Sequence, residues 1–396
     1  MDGILGRRAP FPRLPAGLSW GEGMSATRRL VILGATGTVG VQTLRILEQA
    51  ESPLEVVALS AHDRAEELAS LAGALGSVST YLTSDLDQHD ALLDFLRQGD
   101  YELCLNAVVG AAGLPYSEAT LAAGCDLALA NKESLVLAGE LLTRLARATG
   151  AAILPVDSEH AAIHQCLLGA DPTAIRRLYL TASGGALRDL PIRELAEVSP
   201  ERALDHPNWE MGPRITIDSA TMMNKALEVI EACHLFHVPA EQVQVLVHRQ
   251  SVIHSMVEFV DGSMLAQMGP PDMAFPILYA LHYPERRPAP LQGFDPALFS
   301  TLTLEEIDPE RYPALALGFE AVRRGGVAGA VLNAADEVAV EAFLAGDLRF
   351  LEITELCASV LRSIPEDFPA HTMDDVLAAD TWARAQAREA LSALQA

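Results

Sequence analysis

The sequence predicts an α/β fold, and three observations lead to this prediction. A short buried strand at residues 30–33 runs directly into a glycine-rich turn and a helix. More apolar strands follow, several of them ending in polar clusters, whereas residues 312–396 show helical periodicity throughout. We therefore expect an N-terminal Rossmann-like dinucleotide-binding domain, a central α/β catalytic domain with a dimerising sheet, and a C-terminal α-helical domain.

Length and composition exclude several classes of protein. The 396 residues are enough for two or three domains with a large core. The chain has 53 acidic and 28 basic residues, a net charge of −25 and no basic run, so nucleic-acid binding is not expected. No apolar run is long enough to span a bilayer, so we expect no membrane association. The five cysteines form no CxxC pair, which predicts buried thiols in a reducing, cytoplasmic setting.

Residues 1–25 differ in composition from the rest of the chain. They are rich in Pro, Gly and Arg and lack the apolar stretch of a secretory signal, so we expect a disordered extension. Met24 stands just before the first strand and is the favoured start. A short organelle-targeting segment is the alternative.

The glycine-rich turn predicts a site for the pyrophosphate of a dinucleotide. It reads GATGTVG over residues 34–40. Gly34 permits a tight turn, Gly37 lets the backbone approach a pyrophosphate, and Gly40 lets the helix pack closely on the strand. The spacing is GxxGxxG rather than GxGxxG, so the position between a strand and a helix carries the prediction.

The end of the second strand, residues 55–60, predicts which dinucleotide binds. A free ribose 2′-hydroxyl usually faces an acidic residue at this strand end, and the final residue here is a serine. His62 and Arg64 follow and can meet a 2′-phosphate, although Asp63 favours the opposite choice. We predict NADPH with Arg64 as a cofactor contact; NADH with Asp63 facing the ribose is the alternative.

Three later strands are predicted at 103–109, 127–130 and 151–156; the first runs into Gly110-Ala-Ala-Gly113, and the other two end in polar residues. In open parallel sheets, ligands bind at the carboxyl ends of the strands. Asp157 and Glu159 are two residues apart at such an end, so in an extended chain both carboxylates point to one side. With Glu228 they form a three-carboxylate site that suits Mg²⁺ or Mn²⁺ rather than zinc. The alternative is an ordinary helix start with an acidic first turn.

Residues 218–231 read as a single helix with a varied polar side. Ser219 or Thr221 can cap its start, where free N–H groups favour an anion such as phosphate. The helix therefore predicts a phosphate at one end and a metal ion one turn further along. The alternative is a solvated helix face with a surface charge pair. Three polar residues share one sector of this helix: Asn224, Lys225 and Glu228.

Two loops in the middle of the chain also have the composition of binding segments. The turn Ser183-Gly184-Gly185 offers a hydroxyl and free N–H groups to an anion. Residues 206–212 combine His206, Trp209 and a glycine hinge, which is typical of a lid over a substrate. The alternatives are a plain tight turn and an irregular connection whose tryptophan lies in the core.

The remaining patterns define the expected division into domains. Residues 252–268 include a hairpin with an Asp261-Gly262 turn, and its apolar edge predicts a homodimer interface. His248 and His254, close to this hairpin, are expected to be packed or interface residues. We expect an extension at 1–25, an NADPH-binding domain at 26–157, a catalytic and dimerisation domain at 158–283, a linker at 284–311 and a helical domain at 312–396.

Eight stretches together resemble the 1-deoxy-D-xylulose 5-phosphate reductoisomerase family, in the order that the family shows. The resemblance that they carry extends over nearly all of residues 29–396. They are GATGTVG (34–40), NAVVGAAGL (106–114), ANKESLV (130–136), LPVDSEH (154–160), SGG (183–185), HPNWEMG (206–212), DSATMMNKALEVIEA (218–232) and QSVIHSMVEFVDGSMLAQMGPPDM (250–273).

The resemblance implies a reaction and a set of site residues. The reaction is rearrangement of the phosphorylated sugar and its reduction by NADPH to 2-C-methyl-D-erythritol 4-phosphate for isoprenoid synthesis, with Mg²⁺, Mn²⁺ or Co²⁺. The implied cofactor contacts are Thr36, Gly37, Thr38, Val39, Asn131, Glu133 and Gly212. The implied metal ligands are Asp157, Glu159 and Glu228, with Glu231 behind them. The implied substrate contacts are Lys132, Ser158, Glu159, Ser183, His206, Ser219, Asn224, Lys225 and Glu228. Of these residues, the resemblance makes Lys132, Asp157, Glu159, His206 and Glu228 catalytic.

Two departures from the family and two rival functions remain open at this stage. His62-Asp63-Arg64 stands where family members often carry Gly-Lys-Asn, and Pro213-Arg214 replaces a commoner basic pair. One rival is another NADP-dependent enzyme, such as a semialdehyde or homoserine-type dehydrogenase; a semialdehyde enzyme needs a nucleophilic cysteine, and no cysteine here lies in a catalytic motif. The other is a non-redox cofactor-binding or regulatory protein, which has no use for three carboxylates beside a phosphate site.

Overall fold

The computed structural model describes residues 27–50, 52–207, 209 and 211–395. The extension predicted at residues 1–25 lies outside this range. In the described part of the chain, no helix combines the length and the apolar character needed to cross a bilayer.

The N-terminal half forms a six-stranded, fully parallel sheet flanked by helices. The strand order is β3-β2-β1-β4-β5-β6, which reverses direction between β1 and β4 and confirms the predicted dinucleotide-binding fold. Its elements are β1 Arg28–Leu33, α1 Thr38–Gln49, β2 Leu54–Ala61, α2 Ala65–Leu75, β3 Ser79–Leu82, α3 Leu86–Gln98, β4 Leu103–Asn106, α4 Leu114–Ala122, β5 Asp126–Leu129, α5 Lys132–Thr149 and β6 Ile153–Pro155.

The turn after β1 needs glycine for the reasons that the sequence predicts. Gly34 has φ +75°, and a Cβ atom there would lie 2.6 Å from the carbonyl oxygen of Ala107. A Cβ atom at Gly40 would lie 2.4 Å from the carbonyl oxygen of Gly34, so the start of α1 rests directly on the turn. This close packing holds the N-terminus of α1 at the edge of the sheet, where a pyrophosphate binds.

A second, mixed sheet of five strands follows, in the order β10-β9-β7-β8-β11. The predicted hairpin is confirmed, because β9 and β10 pair antiparallel across the Asp261-Gly262 turn. Residues 284–311, for which a linker is predicted, also carry the short strand β11, which pairs with β8. The elements are α6 Ser158–Cys166, β7 Ile175–Ala182, α7 Pro200–Ala203, α8 Pro213–Thr221, α9 Met223–Phe236, β8 Val243–Val247, β9 Ile253–Phe259, β10 Met264–Met268, α10 Ala274–His282 and β11 Glu305–Glu306.

The single helix predicted over residues 218–231 is wrong, because the chain breaks at Met222. Met222 takes a left-handed conformation with φ 69° and separates α8 from α9. Thr221 Oγ1 accepts a hydrogen bond from the backbone N–H of Met223 at 3.2 Å, so Thr221 supports the start of α9. Ser219 therefore lies in the last turn of α8, not at the N-terminus of α9.

The last part of the described chain is helical, as predicted, and its helices are α11 Ala314–Arg324, α12 Ala328–Ala345, α13 Phe350–Arg362 and α14 Met373–Gln395. Gly325 and Gly326 separate the first two. α12 is buried along most of its length and packs against α5, α8 and α9, so the helical part of the chain backs the central helices. α10 packs instead on α1 of the first sheet, and its Ala274 and Ile277 belong to the core of that sheet.

The contact between α11 and α9 is close enough to give a stability prediction. A Cβ atom on Gly318 would lie 2.3 Å from the carbonyl oxygen of Ala226. We expect Gly318→Ala to lower the free energy of unfolding by about 1–3 kcal/mol, the usual cost of overpacking. Urea unfolding of both proteins measures this. The control is Gly73→Ala in α2, where no atom lies within 4 Å of the new Cβ; it should be neutral or stabilising by up to about 1 kcal/mol. Equal effects of the two changes would contradict the packing account.

Candidate active site

One cleft gathers most of the predicted site residues. It lies where the carboxyl end of the parallel sheet meets α8, α9 and the ends of β7 and β8. Its walls therefore come from both sheets and from the segment that links them. The predicted residues that line it are Thr38, Val39, Lys132, Asp157, Ser158, Glu159, Ser183, His206, Gly212, Ser219, Asn224, Lys225 and Glu228.

Three carboxylates converge in the cleft, although not as an extended chain would present them. Asp157 follows β6 at the N-cap position of α6, and Glu159 lies in the first turn of that helix. The open alternative of a helix start is therefore right about the backbone. The Asp157 carboxylate nevertheless makes no capping hydrogen bond; it contacts the ammonium of Lys132 instead. Glu228 approaches from α9 and is fully buried.

The two lysines in the cleft are the only lysines in the sequence. Because lysine is so rare in this chain, the sequence alone could have indicated that both belong to the site. Lys132 Nζ contacts Asp157 and lies 3.0 Å from Glu228 Oε1. Lys225 Nζ lies 2.7 Å from Glu159 Oε1 and 2.5 Å from Glu228 Oε2. Lys225 is 3% exposed, so the alternative of a solvated charge pair on a helix surface is wrong.

Asn224 completes the link between the charges. Its Nδ2 donates to Glu228 Oε1 at 2.6 Å, while its Oδ1 accepts from Lys132 Nζ at 3.0 Å. Asn224, Lys225 and Glu228 thus share one sector of α9, as predicted. Each of them contacts at least one other group of the cluster.

Burial and the neighbouring charges shift the pKa values of Lys132 and Asp157 in opposite directions. Desolvation lowers the pKa of Lys132, but the carboxylates of Asp157 and Glu228 outweigh it, so its pKa is raised well above the ordinary value. Desolvation raises the pKa of Asp157, and the Lys132 ammonium more than reverses this, so that pKa is lowered. The pKa of Glu159 is raised, by desolvation and then by the nearby charge of Glu228. At neutral pH both lysines are therefore ammonium ions.

The donor set fits a divalent cation such as Mg²⁺ or Mn²⁺. Three carboxylates supply hard oxygen ligands, and three negative charges against two ammonium groups leave an excess of negative charge. His160 is an additional neighbour that the sequence prediction did not single out: atoms of Asp157, His160 and Glu228 lie within 4.8 Å of one another. His160 Nε2 bonds to the carbonyl oxygen of Glu228 at 3.0 Å, and its Nδ1 lies 3.4 Å from Glu231. His160 and Glu231 thus lie directly behind the carboxylates.

A hydrogen-bonded chain leads from the predicted lid to the Ser183 turn. The N–H of Trp209 donates to His206 Nδ1 at 2.9 Å, which assigns the ring proton to Nε2. That Nε2–H then donates to Ser183 Oγ at 3.0 Å. Desolvation lowers the pKa of His206 to about 4, so the ring is neutral at pH 7. The Ser183 hydroxyl is left free to donate its own proton into the cleft.

Close packing brings this turn up to α8. A Cβ atom on Gly185 would lie 2.6 Å from the carbonyl oxygen of Ser219. Ser183 and Ser219 therefore line the same end of the cleft, beside Asn224 and Lys225. Two serine hydroxyls, an amide and an ammonium are groups that suit a phosphate.

The residues predicted to contact a cofactor divide into two groups. Thr38 and Val39 line the cleft, next to Thr36 and Gly37 in the turn. Arg64 is exposed, and its Nη1 donates to the carbonyl oxygen of Thr36 at 3.1 Å, which places it beside the turn.

Asn131 and Glu133 serve the structure of the cleft rather than lining it. Asn131 is 1% exposed and donates to the carbonyl oxygens of Val108 and Gly110, at 2.6 and 2.9 Å. Glu133 pairs with Arg214 at 3.1 Å. Both residues hold the loop that follows β4, and their contact with a cofactor stays a prediction.

Several cleft residues were not predicted as site residues. His248 and His254 are buried, as expected, and both also face the cleft. The available signal was their position after β8 and at the start of β9, the same strand-end logic that identified Asp157. The five cysteines are free and buried, and none lines the cleft, so the described residues offer no cysteine nucleophile there. Cleft residues of this kind include Thr181, Met211, Ile215, His248, Ser251, His254 and Met273.

Comparison with known proteins gives the family. Models of 1-deoxy-D-xylulose 5-phosphate reductoisomerase and of its two C-terminal domains match residues 30–86 and 78–139, 153–236 and 268–386. The enzyme of that name from Symbiobacterium thermophilum is 47% identical over 91% of this chain and 98% of its own length. The one from Anaeromyxobacter dehalogenans is 46% identical over 92% and 98%.

Solved structures agree with this assignment. The enzyme from Zymomonas mobilis in complex with NADPH has a TM-score of 0.83 and 41% identity, over 92% of this chain and 99% of that one. A reductoisomerase in complex with NADPH, fosmidomycin and magnesium has a TM-score of 0.87 and 38% identity, over 93% and 99%. With these matches along nearly its whole length, the chain belongs to the 1-deoxy-D-xylulose 5-phosphate reductoisomerase family.

Proposed function

We propose that this chain converts 1-deoxy-D-xylulose 5-phosphate to 2-C-methyl-D-erythritol 4-phosphate, with NADPH and a divalent metal ion, in the synthesis of isoprenoid precursors. The observation that carries the proposal is a single cleft holding three carboxylates, two lysines and a phosphate-binding group of hydroxyls next to a dinucleotide turn. The rearrangement keeps the carbon count, and the reduction consumes one NADPH and one proton.

Asp157, Glu159 and Glu228 would hold the metal ion, and Thr38, Val39 and Gly212 would contact the cofactor. When bound, the metal ion polarises the carbonyl and hydroxyl oxygens of the sugar, and NADPH supplies the hydride.

Lys132 has a role that its charge state defines. Because its pKa is raised, it remains an ammonium ion and cannot act as a general base. Its Nζ contacts Asp157, Asn224 and Glu228, so it stands beside the oxygens that the carboxylate site would bind. Its three protons are taken by these partners, so it would exchange one of them, when the carboxylates turn to a metal ion, for a hydrogen bond to an oxygen that gains negative charge during the reaction.

The phosphate end of the cleft uses donors that remain available. Lys225 Nζ has three protons, and Glu159 and Glu228 accept two of them, which leaves one for a phosphate oxygen. Ser183 reaches the phosphate with its hydroxyl proton and, through His206, is joined to Trp209. Phosphate binding at Ser183 therefore stabilises the closed position proposed for residues 206–212, and binding energy remote from the reacting carbons supports turnover.

Product identification tests the proposed function directly. The purified protein is incubated with 1-deoxy-D-xylulose 5-phosphate, NADPH and Mn²⁺, and the product is isolated and examined by NMR and mass spectrometry. We expect 2-C-methyl-D-erythritol 4-phosphate. A linear reduced sugar phosphate with the original carbon skeleton would show reduction without rearrangement and would contradict the proposal.

A further prediction concerns the preference for NADPH, which we assign to Arg64. Its guanidinium lies at the end of β2 beside Thr36, where the adenosine ribose of a dinucleotide binds. We expect Arg64→Ala to weaken NADPH binding by about 1.5–3 kcal/mol, the scale of a hydrogen bond to a charged group, and to leave NADH binding nearly unchanged. Fluorescence titration with both cofactors measures this. Equal losses would mean that Arg64 supports the fold, and a wild-type preference for NADH would mean that Asp63 faces the ribose.

We also propose that the protein is a cytoplasmic homodimer. Its domains are proposed to span residues 26–157, 158–283 and 312–396. Strand β10 is the edge of the second sheet, and its apolar side chains Met264, Leu265 and Met268 are 50%, 50% and 39% exposed. An exposed apolar edge strand favours pairing with another chain. Sedimentation equilibrium should give a dimer, and Leu265→Lys should shift it toward the monomer. A wild-type monomer at micromolar concentration would contradict the dimer.

A further inference from the structure

A second cluster of buried charges lies outside the cleft, around a guanidinium in the first turn of α8. Its Nη1 lies 3.1 Å from Glu133 and 2.9 Å from Glu337. Its Nη2 donates to Asn333 at 2.8 Å and lies 3.3 Å from Asp336, and its Nε lies 3.5 Å from Asp218. We call these six residues the arginine cluster: Glu133, Arg214, Asp218, Asn333, Asp336 and Glu337.

The charges of the arginine cluster are balanced by shared protons and by a second arginine. Desolvation, followed by the neighbouring Asp336, raises the pKa of Asp218 well above its ordinary value. Desolvation also raises the pKa of Asp336, to about 6. Glu337 bonds to the guanidinium of Arg384 in α14 at 2.5 Å. The cluster is therefore a buried junction of charges in which Arg214 is the central donor.

One side of the arginine cluster holds the loop after β4. The backbone N–H of Gly110 donates to Glu133 at 3.2 Å, and that of Ala111 donates to Glu337 at 3.2 Å. Gly110 has φ +72°, and a Cβ atom there would lie 2.6 Å from Glu337 Oε1. This loop stands beside β1 where the strand order reverses, which is the place where a dinucleotide crosses such a sheet.

The other side of the arginine cluster anchors the helix that faces the substrate. Arg214 and Asp218 are both in α8, and Ser219, next to Asp218, lines the phosphate end of the cleft. Gly212 and Ile215, at the start of α8, also line the cleft. The partners of Arg214 in α12 are fixed in the helical part of the chain, where Asn333 and Asp336 are fully buried.

From this arrangement we propose that Arg214 is a positioning residue that couples the cofactor side of the cleft to the substrate side, with α12 as the common anchor. This inference rests on the proposed function. When the loop 108–111 is ordered, it holds the carboxylates of Glu133 and Glu337 in place. These two carboxylates hold the guanidinium of Arg214, and the guanidinium sets the position of α8. Because binding energies are linked, each ligand should then tighten the binding of the other by the same factor.

The test is the coupling between two ligands, which a purely structural role would not change. The dissociation constant of NADPH is measured by calorimetry with and without fosmidomycin and Mg²⁺. We expect fosmidomycin to tighten NADPH binding by about fivefold or more in the wild type, within the usual range of coupling between sites. In Arg214→Met the factor should fall to below about twofold. Arg214→Lys keeps the charge but cannot span Glu133, Asn333 and Glu337, so its factor should be intermediate.

The matched control is Arg324→Met. Arg324 also joins helices in the C-terminal part of the chain, through the carbonyl oxygens of Leu361 and Ile364 at 2.6 and 2.9 Å. Within the described part of the chain, its side chain bonds neither to the loop after β4 nor to α8, so its loss should lower the melting temperature and leave the coupling factor unchanged. If Arg214→Met does not fold, Glu337→Gln replaces it, because this change weakens the hold on Ala111 and Arg214 and should also reduce the factor.

Two results would overturn the inference. One is a wild type in which fosmidomycin does not change the affinity for NADPH. The other is a folded Arg214→Met, or Glu337→Gln in its place, with a coupling factor equal to that of the wild type. Neither result affects the proposed function, which fails separately if the wild type forms no 2-C-methyl-D-erythritol 4-phosphate.

Discussion

Glu228→Gln should abolish turnover while NADPH binding stays almost unchanged. Glu228 is fully buried at the centre of the carboxylate site, where it meets Lys132, Asn224 and Lys225 at 3.0, 2.6 and 2.5 Å. Glutamine keeps the shape but removes one of three negative charges, and its amide protons face ammonium groups. We expect a loss in kcat/KM on the order of a thousandfold, since single groups that stabilise charge in the transition state contribute up to that amount.

Steady-state kinetics at several Mg²⁺ concentrations and fluorescence titration with NADPH measure the two effects of Glu228→Gln. Glu341→Gln in α12 is the matched control, because Glu341 is exposed and its change should have no effect on either quantity. A circular dichroism melt shows whether the variant is folded. Wild-type turnover in folded Glu228→Gln, at ordinary Mg²⁺ concentrations, would remove the assignment of Glu228 as a metal ligand.

Lys225→Ala should raise KM strongly and also lower kcat. The change removes the proposed phosphate donor and takes the ammonium partner from Glu159 and one of two ammonium partners from Glu228. Breaking a buried ion pair from one side costs about 3–5 kcal/mol, so the binding loss and the disordered carboxylates act together. We expect kcat/KM to fall by on the order of a hundredfold or more, part of it in kcat because phosphate binding supports closure.

Because lysine is rare in this chain, unintended effects of Lys225→Ala on the rest of the site are easy to detect. With only two lysines in the chain, ¹⁵N-lysine labelling gives two side-chain signals, and Lys225→Ala should remove one and leave that of Lys132. Arg193→Ala is the control for loss of a cation, since its side chain is 81% exposed; exposed pairs contribute about 0–1 kcal/mol. If Lys225→Ala keeps both kinetic constants within about twofold of the wild type, Lys225 has no part in binding the phosphate.

The parallel sheet and the carboxylate site could be predicted because their signals are local. Leu30 to Leu33 is a compact apolar strand, and Gly34 follows it at a point that only glycine fits. The same rule, that ligands bind at the ends of parallel strands, placed Asp157 in the site even though the chain there is helical rather than extended. Glu228 is buried in the same site, so α9 lies at that edge of the sheet as well.

The features that were missed depend on contacts between distant parts of the chain. The break at Met222 follows from the packing of two helices and from a single hydrogen bond of Thr221, neither of which changes the hydrophobic period. The arginine cluster joins Arg214 to Glu337, 123 residues later, so no local pattern points to it. Asn131 and Glu133 also hold the loop after β4, a structural role that no local pattern indicates.

The central claim is that carboxylates, phosphate donors and a dinucleotide turn serve one metal-dependent reduction in one cleft. The most direct measurement follows the absorbance of NADPH after mixing with 1-deoxy-D-xylulose 5-phosphate, in protein freed of metal by a chelator and then in the same protein with Mg²⁺ or Mn²⁺ restored. We predict no oxidation without metal, and one NADPH oxidised per substrate consumed once metal is added. Equal rates in the chelated and the restored protein, or no oxidation with either metal, would contradict the account.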